Sequence, residues 1–388
     1  MISDTPMVEL TIDGRQVRVA SGTSIWEAAR QAGISIPALC HDPGLEPVGV
    51  CRLCVVDVGE RVLAASCVRG CSEGMTVTTQ SDSIDLHRRQ LTRLLLSEHP
   101  SPCQKQQQTG DCSLEKLGSQ FGLIGPDTPT LQSEHGSPRS QDHSSPVIAV
   151  DHQACILCDR CIRACDDIQS NDVIGRTGKG AGARIAFDFD QPMGDSSCVS
   201  CGECSAACPT GALVGHTLTQ PVVDRDQMTA VDTVCPYCGV GCAVTAWTHQ
   251  DTIVELEGRS SPVNQGRLCV KGRYGWDYTL HPHRLTRPLI RRESAYPKGP
   301  LSPEVKGSPP GSGNKPGGLV DLDTVMPAFR EASWEEALEL IGQKLTSIRD
   351  THGSDSLAGF GSAKGSNEEA YLFQRFVRAG LGTNNVDH

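Results

Sequence analysis

The chain has 388 residues, with 35 Lys and Arg against 46 Asp and Glu and a net charge of −11. That acidic balance gives no overall basic surface for nucleic acid, and no apolar run of roughly 18 residues is present to form a membrane helix. Aromatic residues make up only 4% while cysteines number 19, so something other than large side chains must organise parts of the fold.

The first residues, MISDTPMVEL, lack a basic n-region, an apolar h-region and a twin arginine. The expected location is the cytoplasm, with no membrane span. A disulfide framework is disfavoured there, and metal ligation becomes the leading reading of the cysteines. Residues 8–20 predict a β-hairpin turning at Asp13-Gly14. Ser24 and Glu27 form a capping-box pattern for a short helix ending near Gly33. Strand-like runs follow at 54–58, 61–66 and 75–79, and 83–97 reads as a helix with apolar positions Ile84, Leu91, Leu94 and Leu95. The stretch 126–145 reads as a polar linker, 146–217 carries eight cysteines, and 228–292 carries four more among short strand-like runs. The Pro/Gly-rich segment 293–329 reads as a second linker. Ser333 and Glu336 then cap a helix to about residue 350, Leu357–Phe360 reads as a strand, and Ser366 and Glu369 cap a helix to about residue 378. This is the opening of an α/β domain.

The cysteines fall into four groups. The first is Cys40, Cys51, Cys54 and Cys67. The second is His99, Cys103 and Cys112. The third is Cys155, Cys158, Cys161 and Cys165, repeated as Cys198, Cys201, Cys204 and Cys208. The fourth is Cys235, Cys238, Cys242 and Cys269. Only Cys71 is left over, read as a spare thiol. The third group has the x2-x2-x3 spacing of two-cluster ferredoxins, in which the last Cys of each run ligates the other cluster. Cys155, Cys158, Cys161 and Cys208 are thus expected to hold one [4Fe–4S] cluster, and Cys198, Cys201, Cys204 and Cys165 the second. Zinc in four-cysteine sites is the competing reading of the first and third groups.

The first group, behind its hairpin and helix, resembles the β-grasp [2Fe–2S] ferredoxin domain of respiratory NADH dehydrogenases, iron-only hydrogenases and NAD-linked formate dehydrogenases. The second resembles the next module of those families, H-x3-C-x2-C-x5-C around a [4Fe–4S] cluster. Gln106 stands where the middle Cys belongs. An amide oxygen is a hard, weak ligand for iron. The site therefore holds a [3Fe–4S] cluster, a four-iron cluster with a non-Cys ligand, or none.

The fourth group, in TVCPYCGVGC and GRLCVKGRYGWD, resembles the small cluster domain that opens molybdenum- and tungsten-pterin oxidoreductases. The resemblance implies Cys235, Cys238, Cys242 and Cys269 as ligands and places Lys271 between cluster and pterin. Residues 359–388 resemble the formate dehydrogenases of that superfamily. Gly361, Ser362, Ala363 and Lys364 lie at a strand-to-helix junction that the family turns toward a pyranopterin guanine dinucleotide. A surface lysine and an ordinary turn are the alternatives.

The resemblance as a whole implies an α+β multidomain iron–sulfur protein. Its expected parts are a [2Fe–2S] β-grasp domain at 6–82 and a helical His/Cys module at 83–125. After the linker at 126–145 come a bacterial-type 2[4Fe–4S] ferredoxin domain at 146–217 and a β-rich [4Fe–4S] domain at 228–292. The linker at 293–329 precedes a truncated α/β pterin domain at 330–388. The implied cofactors are one [2Fe–2S] cluster, three [4Fe–4S] clusters, a further one at His99 left open, and a Mo- or W-bis-pyranopterin guanine dinucleotide in the complete enzyme. The metal-ligating Cys or selenocysteine would lie after His388, so no catalytic residue is expected within the chain and the isolated chain should be inactive. The implied function is electron relay from formate oxidation toward a flavin- and NAD-binding subunit, with a small [2Fe–2S] subunit and, if the enzyme is split, a further pterin-binding polypeptide as partners. The alternatives are the large iron–sulfur subunit of an NADH–quinone oxidoreductase and a standalone polyferredoxin-like carrier.

Overall fold

Asp13 and Gly14, both at positive φ (47° and 78°), turn the chain between β1 (Met7–Ile12) and β2 (Arg15–Ala20). This is the backbone that an Asp-Gly hairpin turn requires. Ser24 caps α1 (Ile25–Gln31) by accepting from the Glu27 amide at 3.2 Å. The expected capping box is only half formed, because the Glu27 carboxylate turns away to Arg30 at 2.6 Å. Three short strands follow, β3 (Val55–Val56), β4 (Ala64–Ala65) and β5 (Thr76–Val77). β1 pairs antiparallel with β2 and parallel with β5, giving the sheet order β2-β1-β5. Leu10, Ile12, Ile25 and Ala28 close a core on α1 that also takes in Cys54, Cys67 and Cys71.

The computed structural model describes residues 6–125, 139–215, 223–295 and 325–388. Residues 126–138 of the first expected linker and 296–324 of the second lie outside the described residues. The chain divides into two units. One comprises residues 1–235 and 242–277, the other 236–241 and 278–388.

In the first unit, α2 (Asp82–Leu96) buries Ile84, Arg88, Thr92 and Leu96 at four-residue spacing. The expected apolar face is rotated from this, since Leu94 is 67% exposed. The rotation has a polar cause. Arg88 donates to the carbonyls of Leu53 (3.1 Å) and Val55 (2.9 Å), on either side of Cys54, and is buried in doing so. Two short helices follow, α3 (Gln104–Thr109) and α4 (Ser113–Gln120). β6 (Gln141–Asp142), β7 (Ile148–Asp151) and a later strand, β10 (Leu213–Gly215), form one small sheet. Between β7 and β10 lie α5 (Arg160–Arg163), the hairpin of β8 (Ile174–Thr177) and β9 (Arg184–Phe187), and α6 (Glu203–Ala207). The unit ends in an antiparallel sheet of β11 (Thr229–Val234), β12 (Ala243–His249) and β13 (Thr252–Gly258), then α7 (Val270–Tyr274).

The second unit pairs β14 (Leu289–Arg291) with β15 (Phe329–Glu331). Ser333 caps α8 (Trp334–His352). β16 (Gly359–Phe360) leads to α9 (Asn367–Arg375), which opens on a complete Ser366–Glu369 capping box, and β17 (Val386–Asp387) pairs parallel with β16. Leu357, Val377 and Leu381 form its small core. Among the described residues, no helix is long and apolar enough to cross a membrane.

Candidate metal centres

None of the nineteen cysteines forms a disulfide. In the first group, the Cys54 and Cys67 sulfurs stand 3.3 Å apart and the Cys51 amide points at the Cys40 sulfur at 3.4 Å. The quartet divides its protons unevenly. Hydrogen bonds from Cys51 and Cys67 hold Cys40 down to about 2, and Cys67 holds Cys54 down to about 6. Cys51 and Cys67, donating to Cys40, are pushed up. Four thiols that crowd enough to share protons this way suit a cationic centre that would take them all as thiolates. Cys71 sits in the core with its thiol pushed up by burial, as an inert thiol should be.

The two runs of the third group repeat in backbone as well as in sequence. Leu157 and Asp159 (φ 52° and 59°) precede α5, and Ser200 and Gly202 (φ 56° and 78°) occupy the matching places before α6. A left-handed Leu is costly and persists where the surroundings hold it. Here it wraps the loop so that N–H groups two residues on face sulfur, as Ser200 N faces Cys198 Sγ at 3.3 Å. The chain brings the runs together crosswise. Cys161 feels Cys158, Cys208 and Cys155 ahead of Cys204, whereas Cys204 feels Cys201, Cys198 and Cys165 ahead of Cys208. Burial raises both central thiols well above their ordinary range, and raises Cys155 to about 11 and Cys158 to about 12. Bare thiolates are therefore disfavoured in this core, and a bound cation is what would make them stable. A small cavity lined by Cys155, Cys158, Cys161 and Cys208 lies between them.

The second group collects at the helix ends. Cys103 precedes α3, Cys112 precedes α4, and His99 follows α2. Gln106 turns its amide oxygen to the Cys112 N–H at 3.2 Å, so that oxygen serves the backbone. Sequence reasoning missed Glu115, the third residue of α4. Its carboxylate accepts from Cys103 N at 2.9 Å and lies 3.4 Å from His99 Nε2. Burial depresses His99, but Cys103 and Glu115 overcome it and hold the ring at about 9.

In the fourth group, Cys235 N donates to Cys242 O at 2.9 Å across the β11–β12 turn, and Cys269 precedes α7. Cys238 falls in the other unit. Lys271 is exposed on α7. In the second unit, Ser362, Ala363 and Lys364 are exposed and Gly361 is half-buried. The amides of Gly361, Lys364 and Gly365 are engaged by Asp387 O, Ser362 Oγ and Ser362 O. The loop is open, but Glu368 and Glu369 in the first turn of α9 oppose an anion there. As an anion cradle the loop by itself is weak.

The groups of the first unit are tied together by two arginines and a lysine. Arg163 of α5 donates to the carbonyls of Cys40 (2.6 Å), Cys158 (3.3 Å) and Glu46. Arg273 of α7 donates to Cys201 O at 3.0 Å and pairs with buried Glu203 at 2.5 Å. Lys105 donates to Cys208 O at 3.1 Å, tying the His99 module to the third group. One apolar core holds Cys103, Cys112, Cys161, Cys165, Cys204 and Cys208, with Cys51, Cys155 and Cys198 packed on it.

Comparison with known families gives four matches. Residues 5–82 match the 2Fe-2S iron-sulfur cluster binding domain, and 145–214 match the ferredoxin-like domain of NADH-quinone oxidoreductase subunit 3. Residues 228–281 match the molybdopterin oxidoreductase Fe4S4 domain, and 284–388 match molybdopterin oxidoreductase. Iron–sulfur ferredoxin domains and a molybdopterin oxidoreductase domain share this one chain. A provisionally named formate dehydrogenase of Staphylococcus aureus (strain MRSA252) is 28% identical over 98% of this chain and 38% of its own length. The NADPH-Fe(3+) oxidoreductase subunit alpha of Geobacter sulfurreducens is 30% identical over 98% of this chain and 40% of its own. The chain thus spans about two-fifths of the length of these curated relatives. A crystal structure of an NAD+-reducing [NiFe]-hydrogenase is 30% identical, covers 56% of this chain and 92% of its own, and superposes with a TM-score of 0.49.

Proposed function

We propose that this chain is the iron–sulfur electron-transfer portion of an NAD-linked formate dehydrogenase catalytic subunit. The observation that carries the reading is the apolar core that embeds thiols of the second and third groups and against which Cys51 of the first group packs. A dry, continuous core of this kind keeps successive redox centres close and out of water. The proposed ligands are Cys40, Cys51, Cys54 and Cys67 for a [2Fe–2S] cluster, and the two crossed quartets of the third group for two [4Fe–4S] clusters. Cys235, Cys238, Cys242 and Cys269 would hold a third [4Fe–4S] cluster. When bound, the clusters supply one-electron transfer and a Mo- or W-pterin centre in the complete protein supplies formate oxidation.

The chain's own residues do the rest. Arg273 and Glu203 hold the fourth-group helix against the Cys201 loop, and Arg163 holds the Cys158 loop against Cys40. That order runs from the pterin side toward the [2Fe–2S] end, where a flavin- and NAD-binding subunit and a small [2Fe–2S] subunit would receive electrons in the cytoplasm. Lys271, Gly361, Ser362, Ala363 and Lys364 are the proposed pterin contacts. The match of 145–214 favours a second reading, the large subunit of an NADH–quinone oxidoreductase.

A formate assay with a dye acceptor on the complete protein tests the first reading. Formate-dependent dye reduction that freezes out reduced [4Fe–4S] and [2Fe–2S] signals is the expected result. Reduction of the same clusters by NADH with no response to formate would overturn it in favour of the second.

A further inference from the structure

His99, Cys103, Cys112 and Glu115 bring one donor atom each within 4.8 Å of one another. Among the described residues, no other set of three or more His, Cys, Asp or Glu side chains converges so tightly. All four are buried, at 4%, 1%, 0% and 5% exposure. His99 Nε2 lies 3.7 Å from Cys112 Sγ and 3.4 Å from Glu115 Oε1. A helix-dipole role explains an acidic residue in the first turn of α4. It does not explain why Glu115 is buried against two thiols and an imidazole, and among the described residues no Lys or Arg pairs with it.

A four-iron cluster separates its terminal ligands by an iron–iron edge in addition to two metal–ligand bonds. One ion needs only the two bonds, about 2.0–2.3 Å each for zinc with N, O and S donors. In the third group Cys155, Cys158, Cys161 and Cys208 line a small cavity, whereas these four donors have closed in to within 4.8 Å. The position expected to supply a third sulfur is Gln106, whose oxygen is taken by the backbone. The ligand set that remains is one imidazole, two thiols and one carboxylate, which suits a borderline divalent ion in tetrahedral coordination.

We propose that His99, Cys103, Cys112 and Glu115 bind a single divalent transition-metal ion of zinc's class, in place of the iron–sulfur cluster that this module's resemblance implies. Binding displaces the proton of each thiol to solvent and leaves two thiolates on the ion. Zinc has no redox chemistry, so the module becomes a structural clip beside the relay. Electrons then pass between the first and third groups along the Arg163 contact rather than through the His99 site.

The test uses the full chain, reconstituted anaerobically with iron and sulfide, then given Zn2+ and washed with a mild chelator. The expected result is about one zinc per chain, with X-ray absorption at the zinc edge showing about two sulfurs near 2.3 Å and two N or O neighbours near 2.0 Å. Glu115→Gln should weaken zinc retention at least roughly tenfold and leave the iron content unchanged. Zinc bound with any other ligand set would overturn the proposal. So would three or four irons above the number held by the other groups, or no metal at the site at all. Because zinc reports this site and iron reports the others, its failure is distinguishable from failure of the relay reading.

Discussion

Two regions of one core handle cysteine differently. At 155–208, eight thiols gather from two crossed runs, each with a central thiol that burial pushes well above its ordinary range, and Cys155, Cys158, Cys161 and Cys208 line a small cavity. At 99–115, two thiols, an imidazole and a carboxylate have drawn together within 4.8 Å. The difference teaches that the donor types a module brings together, and not its cysteine count alone, decide which metal it suits. Left-handed residues 157, 159, 200 and 202 give the two loops of the first region matching backbones. In the second, the start of α4 carries a carboxylate inward and the ligands close on it.

The strongest way to break this comparison is Cys161→Ser. It should remove about four irons and leave any zinc at His99 in place, as metal analysis of the purified full chain would read. Equal loss of zinc and iron would mean that the two regions are one site. Next is Glu203→Gln. Glu203 is 2% exposed and answers both Arg273 (2.5 Å) and Arg267 (3.2 Å). Leaving Arg273 buried without its partner should cost about 3–5 kcal/mol, measured by denaturant unfolding of the reconstituted protein. Arg163→Met strips donors from the carbonyls of Cys40, Glu46 and Cys158. A loss of about 2–3 kcal/mol is expected, with slower electron exchange between the [2Fe–2S] and [4Fe–4S] signals after rapid-freeze reduction.

The smallest effect belongs to Glu27, remote from both regions. Hydrogen bonding from Arg30 lowers its carboxyl to about 2. Because the folded value is depressed, the contribution is present above the ordinary carboxylate range and fades as pH falls from about 4.5 toward 2. The pair is largely exposed, so Glu27→Gln should cost under about 1 kcal/mol near neutral pH. The difference from the parent chain should vanish in acid. A difference that grew in acid would contradict the assignment.

Much of the scaffold was legible because it rests on local chemistry. Asp13-Gly14 announced its turn, and Ser24, Ser333 and Ser366 announced helix starts that the structure places at Ile25, Trp334 and Asn367. What stayed hidden depends on distant partners. Leu94 reads as a core residue until Arg88 is seen turning α2 to reach the carbonyls of Leu53 and Val55. Glu115 reads as a first-turn acid, and only the packing of α4 beside His99, 16 residues earlier, makes it a candidate ligand. A carboxylate at the third position of a helix that follows a Cys was the one available signal, and it is too common to carry a site alone. Arg163 and Arg273 carry no motif at all. Their role appears when each reaches the carbonyl of a cysteine that sequence places far away.

The most direct test of the central claim is to count iron, acid-labile sulfide and zinc in one anaerobic sample of the reconstituted full chain. The relay account predicts about 14 irons with matching sulfide. About four tightly held zinc ions, with neither iron nor sulfide, would make these thiol groups structural zinc sites and contradict it.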